Sequence, residues 1–97
     1  MMKTEYQYQI IMKVRKLREE HGYSQMDIAS FLGISNGQVG NIESLNSPHK
    51  YTLEQLYRIC KLFNLPIEQI FIEDNEYSEI RDFVDLLITK ILKYGKQ

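Results

Sequence analysis

Amide and hydroxyl side chains are concentrated in the stretch QMDIASFLGISNGQVGNIES, which runs from Gln25 to Ser44. Asn36, Gln38 and Asn41 fall within eight residues that we interpret as one short helix, Asn36–Glu43. Asparagine and glutamine can form paired hydrogen bonds with the edge of an adenine base, and each such pair supplies about 1–3 kcal/mol of discrimination. The chemistry that this stretch offers is therefore directional hydrogen bonding at a surface.

Two short helices joined by a tight turn are expected to hold these side chains in place. The turn centres on Gly33, which can adopt the positive φ that a sharp reversal requires. Ser35 is a favourable N-cap for the second helix. Ala29 is small at the point where the two helices would cross. The apolar residues at helical spacing that would pack inward are Ile28, Ala29, Leu32, Ile34, Val39 and Ile42.

The outward face of the second helix is small and uncharged. At 100° per residue, Gly40, Asn41 and Ser44 lie within about 60° of Gly37, and the apolar positions lie on the opposite side. A helix that exposes amides, hydroxyls and glycines suits entry into a groove. We interpret it as a recognition helix.

Together, the motifs between Leu17 and Phe71 resemble the Cro/C1-type (XRE-like) helix-turn-helix family. The resemblance implies a five-helix, lambda-repressor-like DNA-binding domain, usually acting as a dimeric transcriptional regulator. It implies sequence-specific binding of double-stranded DNA, with Asn36–Glu43 in the major groove of an operator. The matching residues are Leu17-Arg18, Gly22-Tyr23-Ser24-Gln25, Ile28-Ala29, Gly33-Ile34-Ser35, Val39 and Ile42-Glu43.

The resemblance also implies roles for individual residues. In the family, the glutamine at the position of Gln25 bonds a backbone phosphate and braces the recognition helix. Arg18 and Glu43 occupy positions where the family often has a partly buried ion pair. The predicted DNA-binding residues are Gln25, Ser35, Asn36, Gly37, Gln38, Gly40, Asn41, Ser44, Asn46 and Lys50.

Several of these positions allow a second interpretation. Asn36, at the start of the helix, can cap it or contact phosphate in place of a base. Gly37 and Gly40 stand where the family commonly carries long polar side chains, so they indicate either close approach of the helix backbone to DNA or recognition of DNA shape. Leu45 stands where the family commonly ends this helix with glycine, and Asn46, which tolerates the left-handed conformation, is expected to end it one residue later.

The charge balance is unusual for a protein that binds nucleic acid. The formal net charge is −1 and the pI is about 6.1. Basic residues cluster at Lys13, Arg15, Lys16 and Arg18, so DNA contact would depend on hydrogen bonds and helix N-termini as well as on charge. Lys50 allows two interpretations, contact with a DNA phosphate or a solvated position in a loop.

The composition fits one small folded domain with an appended element, since 97 residues are 43% hydrophobic and 26% charged. No apolar run approaches the ~20 residues of a membrane span, and no secretory h-region is seen. The single Cys60 excludes an internal disulfide framework and favours a cytoplasmic location. His21 and His49 lack metal-ligand spacing, and no catalytic or phosphate-loop motif occurs, so we predict no metal, cofactor or enzymatic activity.

The chain divides into a tail or helical extension over 1–8, predicted to be flexible, the DNA-binding domain over 9–73, and a C-terminal amphipathic helix over 74–97. Within the domain, the first helix is predicted over 9–21. The capping box Thr52-x-x-Gln55 predicts a fourth helix that ends near Phe63, and a fifth is predicted to begin at Pro66. The predicted fold class is therefore all-α, with five helices and an additional C-terminal helix.

The apolar pattern from Tyr77 to Tyr94 predicts a continuous helix with a wide apolar stripe. The stripe can cover its own domain, pair with a second copy or bind a different protein. We favour a homodimer, because a two-fold operator is read by two copies about one DNA turn, ~34 Å, apart. The predicted dimerisation residues are Ile80, Phe83, Val84, Leu87, Ile88 and Ile91.

Two other functions remain open from the sequence. An antitoxin-like or partner-binding module would keep the DNA-binding domain and use the helix over 77–94 to hold another protein. A protein-interaction module without DNA binding would account for the acidic pI and for the two glycines of the recognition helix.

Overall fold

The computed structural model describes residues 2–79 and 82–96, and every regular element within them is helical. The five-helix domain with an additional C-terminal helix is confirmed. Its helices are α1 (Glu5–Glu20), α2 (Gln25–Leu32), α3 (Asn36–Glu43), α4 (Leu53–Leu62), α5 (Glu68–Phe71), a 3₁₀ helix (Asp74–Glu79) and α6 (Phe83–Gly95).

A capping box begins each of the first four helices. The hydroxyls of Thr4, Ser24, Ser35 and Thr52 accept a hydrogen bond from the backbone N–H three residues later, and the side chain of that later residue accepts one from the N–H of the cap. Because these caps are short-range features, α2, α3 and α4 begin where the sequence predicts.

The first helix begins at Glu5 and not at residue 9, so residues 5–8 form the helical extension, the second of the two predicted alternatives, and not a flexible tail. Thr4 caps α1, and Gln7 lies buried in its first turn. The Nε2 of Gln7 donates to the carbonyl oxygen of Tyr94 at 2.7 Å and also to that of Lys96. The start of α1 is therefore part of the folded domain and is bonded to the end of α6.

A single core joins all six α-helices. It includes the inward-facing residues predicted for α2 and α3, although Ile34 is only half-buried. Cys60 is a core residue, and burial raises the pKa of its thiol to about 11. The buried apolar residues are Ile10, Ile11, Val14, Ile28, Ala29, Leu32, Val39, Ile42, Tyr51, Leu56, Ile59, Cys60, Phe63, Ile70, Phe71, Ile72 and Tyr94.

The C-terminal segment is not the continuous helix predicted over 77–94. Asp82 begins a new helix, because its side chain accepts a hydrogen bond from the N–H of Asp85 at 3.0 Å. One side of α6 then covers its own domain through Tyr94 and four half-buried residues, Phe83, Leu86, Leu87 and Ile91. Of the predicted dimerisation residues, Phe83, Leu87 and Ile91 thus pack inward, and Ile80 lies outside the described residues.

Candidate nucleic-acid interface

The turn between α2 and α3 sets the direction of α3. Gly33 has a φ of 74°, in the left-handed region that favours glycine, and it ends α2 there. The hydroxyl of Ser35 accepts from the N–H of Gln38 at 3.1 Å, and the side-chain carbonyl of Gln38 accepts from the N–H of Ser35 at 2.8 Å. Val39 and Ile42 are buried on the inner side of α3, so the opposite side faces outward.

The outward side of α3 presents Asn36, Gly37, Gln38 and Asn41 as exposed residues, with Gly40 half-buried among them. Within the part of the chain that the structure describes, the side-chain amides of Asn36 and Asn41 form no hydrogen bond. The amide oxygen of Gln38 is engaged in the capping box. Because paired bonding to adenine needs both a donor and an acceptor, Asn36 and Asn41 can form it with groups that the protein leaves unused, whereas the acceptor oxygen of Gln38 already serves the capping box.

A buried ion pair supports α3 from behind, which confirms the predicted pairing of Arg18 with Glu43. Arg18 donates from Nε and Nη2 to the two carboxylate oxygens of Glu43, both at 2.9 Å, and the two side chains are 8% and 3% exposed. The hydrogen bond to Glu43 raises the pKa of Arg18 above its ordinary value. Gln25 donates from Nε2 to the same carboxylate at 3.0 Å, so α1, α2 and α3 are joined at one point.

The two outward glycines are not required by the packing of α3. A Cβ at Gly37 would have the hydroxyl of Ser35 as its nearest neighbour, at 3.9 Å. A Cβ at Gly40 would meet the Oε1 of Gln25 at 3.5 Å, which is ordinary van der Waals contact. Both positions therefore leave space on the outward side that the protein itself does not use.

The C-terminal end of α3 is held by a residue from the start of the chain. Lys3 donates from Nζ to the carbonyl oxygens of Ser44 at 2.6 Å, of Asn41 at 3.4 Å and of Ser47. Asn46 does not adopt the left-handed conformation predicted for it. No local sequence signal indicates this role of Lys3, because the cation and Ser44 are 41 residues apart in the chain.

The loop after α3 uses most of its polar groups within the protein. The Nζ of Lys50 donates to the carbonyl oxygen of Tyr94 at 3.2 Å and lies 5.4 Å from the centroid of the Tyr94 ring. The N–H of Ser44 bonds the carbonyl of Asn41, and the N–H of Asn46 bonds the hydroxyl of Ser44. The structure therefore places the ammonium of Lys50 against Tyr94 of α6.

The basic cluster of α1 is largely paired. Lys13 lies 2.7 Å from the carboxylate of Glu73, and Arg18 is buried. Arg15 lies 3.6 Å from Glu19 and is about half exposed. Arg15 is also 4.0 Å from Glu43, so its partly exposed guanidinium lies beside the Arg18–Glu43 ion pair that supports α3.

Residues 2–79 and 82–96 contain neither a candidate metal site nor a candidate membrane-spanning helix. No group of three histidine, cysteine or acidic side chains is placed to hold a metal ion. No helix there has the length and apolar character needed to cross a membrane.

Comparison with known proteins identifies the family of the α2–α3 unit. A helix-turn-helix family model matches residues 14–70. A putative HTH-type transcriptional regulatory protein of Thermococcus gammatolerans is 39% identical over 56 residues, which cover 58% of this chain but 17% of that protein. The competence pilus inhibition repressor of Acinetobacter baylyi is 30% identical over 86 residues, which cover 80% of this chain and 76% of the repressor.

No solved structure matches significantly. The family match nevertheless contains α2, the turn, α3 and the residues of the ion-pair brace. The chain belongs to the Cro/C1-type helix-turn-helix family of DNA-binding transcription regulators.

Proposed function

We propose that this chain is a cytoplasmic repressor that binds a two-fold symmetric operator as a homodimer, with α3 in the major groove. The observation that supports this most strongly is the outward side of α3, where the amides of Asn36 and Asn41 are free and no charged side chain intervenes. The buried brace behind them holds the helix at a fixed orientation. The Acinetobacter relative is named a repressor, which favours this function over a partner-binding or antitoxin-like module.

We assign the contacts with the operator to polar groups on α3 and beside it. Asn36 and Asn41 read base edges, and Gln38 supplies the N–H donors of its side-chain amide. Gln25, at the N-terminus of α2, and the exposed guanidinium of Arg15 face phosphates, where the positive end of the helix dipole assists. Phosphate contacts position the protein and the amides supply the sequence preference, so a net negative protein can still bind DNA.

Fluorescence anisotropy with the promoter duplex upstream of the gene tests this function. The control is a scrambled duplex of the same length and composition, and both are titrated at two salt concentrations. We expect tight binding to the promoter alone, with an affinity that falls as salt rises. Equal or absent binding to both duplexes would contradict the proposal.

Replacing Gly40 by alanine separates the two interpretations of the outward glycines. We expect Gly40→Ala to raise the free energy of unfolding by about 1 kcal/mol. Alanine loses less backbone entropy than glycine in a helix, and its Cβ would make only ordinary van der Waals contact here. Urea denaturation measures this gain. The added methyl group fills space between α3 and DNA, so anisotropy should show weaker operator binding. Stabilisation with unchanged affinity would rule out close approach as the role of Gly40.

The dimer interface that we propose is the exposed side of α6. Val84, Ile88 and Leu92 are spaced four residues apart, and they are 62%, 50% and 64% exposed. This spacing places them in one stripe along the helix, on the side away from the residues that pack on the core. Large apolar side chains arranged in this way are typical of an interaction surface.

The charges of α6 favour an antiparallel pair of these helices. Asp82 and Asp85 lie at the N-terminal end of the helix, whereas Lys93 and Lys96 lie at the C-terminal end. Antiparallel pairing brings acidic and basic ends together, and parallel pairing would bring like charges together. We therefore expect two copies of α6 to pair in the antiparallel arrangement and not in the parallel one.

Replacing Ile88 by lysine is expected to convert the dimer to a monomer, because two ammonium groups would meet at the centre of the antiparallel interface. Sedimentation equilibrium measures the mass of the assembly. Thr89→Lys is the matched control, since it adds the same charge at the next exposed position of α6 without replacing an apolar residue. A dimer that survives Ile88→Lys, or a monomeric wild-type protein, would contradict this interface.

A further inference from the structure

We infer that Lys3 is a positioning residue for DNA recognition, which holds the C-terminal end of α3 in the orientation that reads bases. The inference rests on the proposed function of α3. It concerns a residue outside the helix-turn-helix segment, and it assigns Lys3 a role in base discrimination without a contact to DNA.

The recognition helix needs support at its C-terminal end. It has eight residues, and it contains two glycines that each disfavour a helix by about 1 kcal/mol. Helices of this length are marginal in isolation. The last turn of α3 has no basic residue, and its C-cap, Ser44, is extended and is not a left-handed glycine. The carbonyls of Asn41 and Ser44 accept long local hydrogen bonds from the N–H groups of Ser44 at 3.2 Å and Ser47 at 3.4 Å, so a partner from elsewhere in the chain would reinforce this end.

Lys3 provides that partner. An ammonium group has three N–H donors, and Lys3 directs its ammonium to the carbonyl oxygens of Asn41, Ser44 and Ser47. A positive charge at this end also interacts favourably with the helix dipole. Partial burial lowers the pKa of Lys3.

The contact acts directly on a residue that reads DNA. The carbonyl of Asn41 is one of the three acceptors, and the side-chain amide of the same residue is free on the outward side of α3. Loss of Lys3 is therefore expected to loosen the turn that carries Asn41. Lys3 and Glu43 hold the same end of α3 in different ways, since Glu43 fixes a side chain and Lys3 fixes the backbone.

Lys3 is itself fixed by the residues that follow it. Thr4 forms the capping box of α1 with Gln7, and Gln7 is bonded to the carbonyl of Tyr94. The position of Lys3 is therefore set by the start of α1, which is anchored on α6. This arrangement joins the end of the recognition helix to the helix that carries the proposed dimer surface.

A direct contact between Lys3 and phosphate makes a different prediction. A lysine that neutralises a phosphate weakens binding uniformly across sequences when it is removed, and it reduces the salt slope by about 1. A lysine that positions α3 changes the ratio of operator affinity to scrambled-duplex affinity and leaves the salt slope unchanged. The two roles are therefore separable in one set of titrations.

The test compares Lys3→Met and Lys3→Arg with the wild-type chain, all without an added tag, by anisotropy on the operator and the scrambled duplex over a range of salt. Lys61→Met is the matched control, because Lys61 is an exposed lysine of α4 whose ammonium lies over the ring of Tyr57. We expect Lys3→Met to lower the discrimination ratio about three- to tenfold at an unchanged salt slope. Lys3→Arg should restore most of that loss, and Lys61→Met should have no effect on the ratio.

Hydrogen exchange supplies a second readout in the folded protein without DNA. Amides at the C-terminal end of α3 should exchange faster in Lys3→Met than in the wild type, and amides of α4 should not. An unchanged ratio and unchanged exchange would overturn the inference, as would a uniform loss with a lower salt slope. If the wild-type chain itself does not discriminate between the two duplexes, it is the proposed function that fails.

Discussion

The Glu43→Ala variant is expected to lose about 3–5 kcal/mol of the free energy of unfolding, because it leaves the buried guanidinium of Arg18 without its carboxylate partner. The same change removes the acceptor of Gln25, so the side-chain hydrogen bond between α2 and α3 is lost as well. Urea denaturation followed by circular dichroism measures the loss. The variant should also bind the operator more weakly under conditions in which it is folded.

A double variant separates the cost of an unpaired charge from the cost of lost packing. Arg18→Met combined with Glu43→Leu removes both charges and keeps apolar volume at both positions. We expect it to recover most of the stability that Glu43→Ala loses, since replacing a whole buried ion pair is often neutral. A Glu43→Ala protein as stable as the wild type would contradict the account of the brace.

The Tyr94→Ala variant is the second change with a large expected effect on stability. Tyr94 is buried, its ring packs edge-on against Phe71 with the centroids 5.9 Å apart, and its hydroxyl donates to the carbonyl of Tyr51 at 2.7 Å. Removing the ring is expected to lower the free energy of unfolding by about 3–5 kcal/mol. Thermal and urea unfolding should both report the loss as one cooperative transition, because α6 shares its core with the domain.

The Tyr94→Phe variant is the matched control for this prediction. It keeps the ring and removes the hydrogen bond to Tyr51, so we expect a loss of about 1 kcal/mol. A Tyr94→Ala protein whose helical domain unfolds at the wild-type urea concentration would contradict the account. It would show that α6 is a separate appendage, as the division of the sequence at residue 74 implied.

The parts of the fold that depend on neighbouring residues could be predicted from the sequence. Ser24, Ser35 and Thr52 cap the helices that follow them, and Gly33 ends α2, because each of these effects is decided within a few residues. The inward residues of α3 followed from the helical period. The ion pair between Arg18 and Glu43, which the family resemblance implies, is observed.

The contacts that the sequence did not predict join distant parts of the chain. Lys3 bonds the end of α3, Gln7 bonds the end of α6, and Lys50 bonds the carbonyl oxygen of Tyr94. No spacing or propensity rule relates such residues, since their proximity is a property of the assembled core. The sequence predicts one wide apolar stripe on α6. In the folded protein, part of that stripe packs on the core and the rest is exposed.

The free amides on α3 are expected to read base edges, and a base-substitution scan with Asn41→Ala measures this at each position of the operator. Affinities of the wild type and the variant are measured by anisotropy on the operator and on duplexes that each carry one substituted base pair. Gln69→Ala, which removes an exposed amide from α5, is the control. We expect Asn41→Ala to lose about 1–3 kcal/mol of discrimination at one base pair in each half-site and to keep it elsewhere. Undiminished discrimination at every position, or an equal loss at all of them, would contradict the claim.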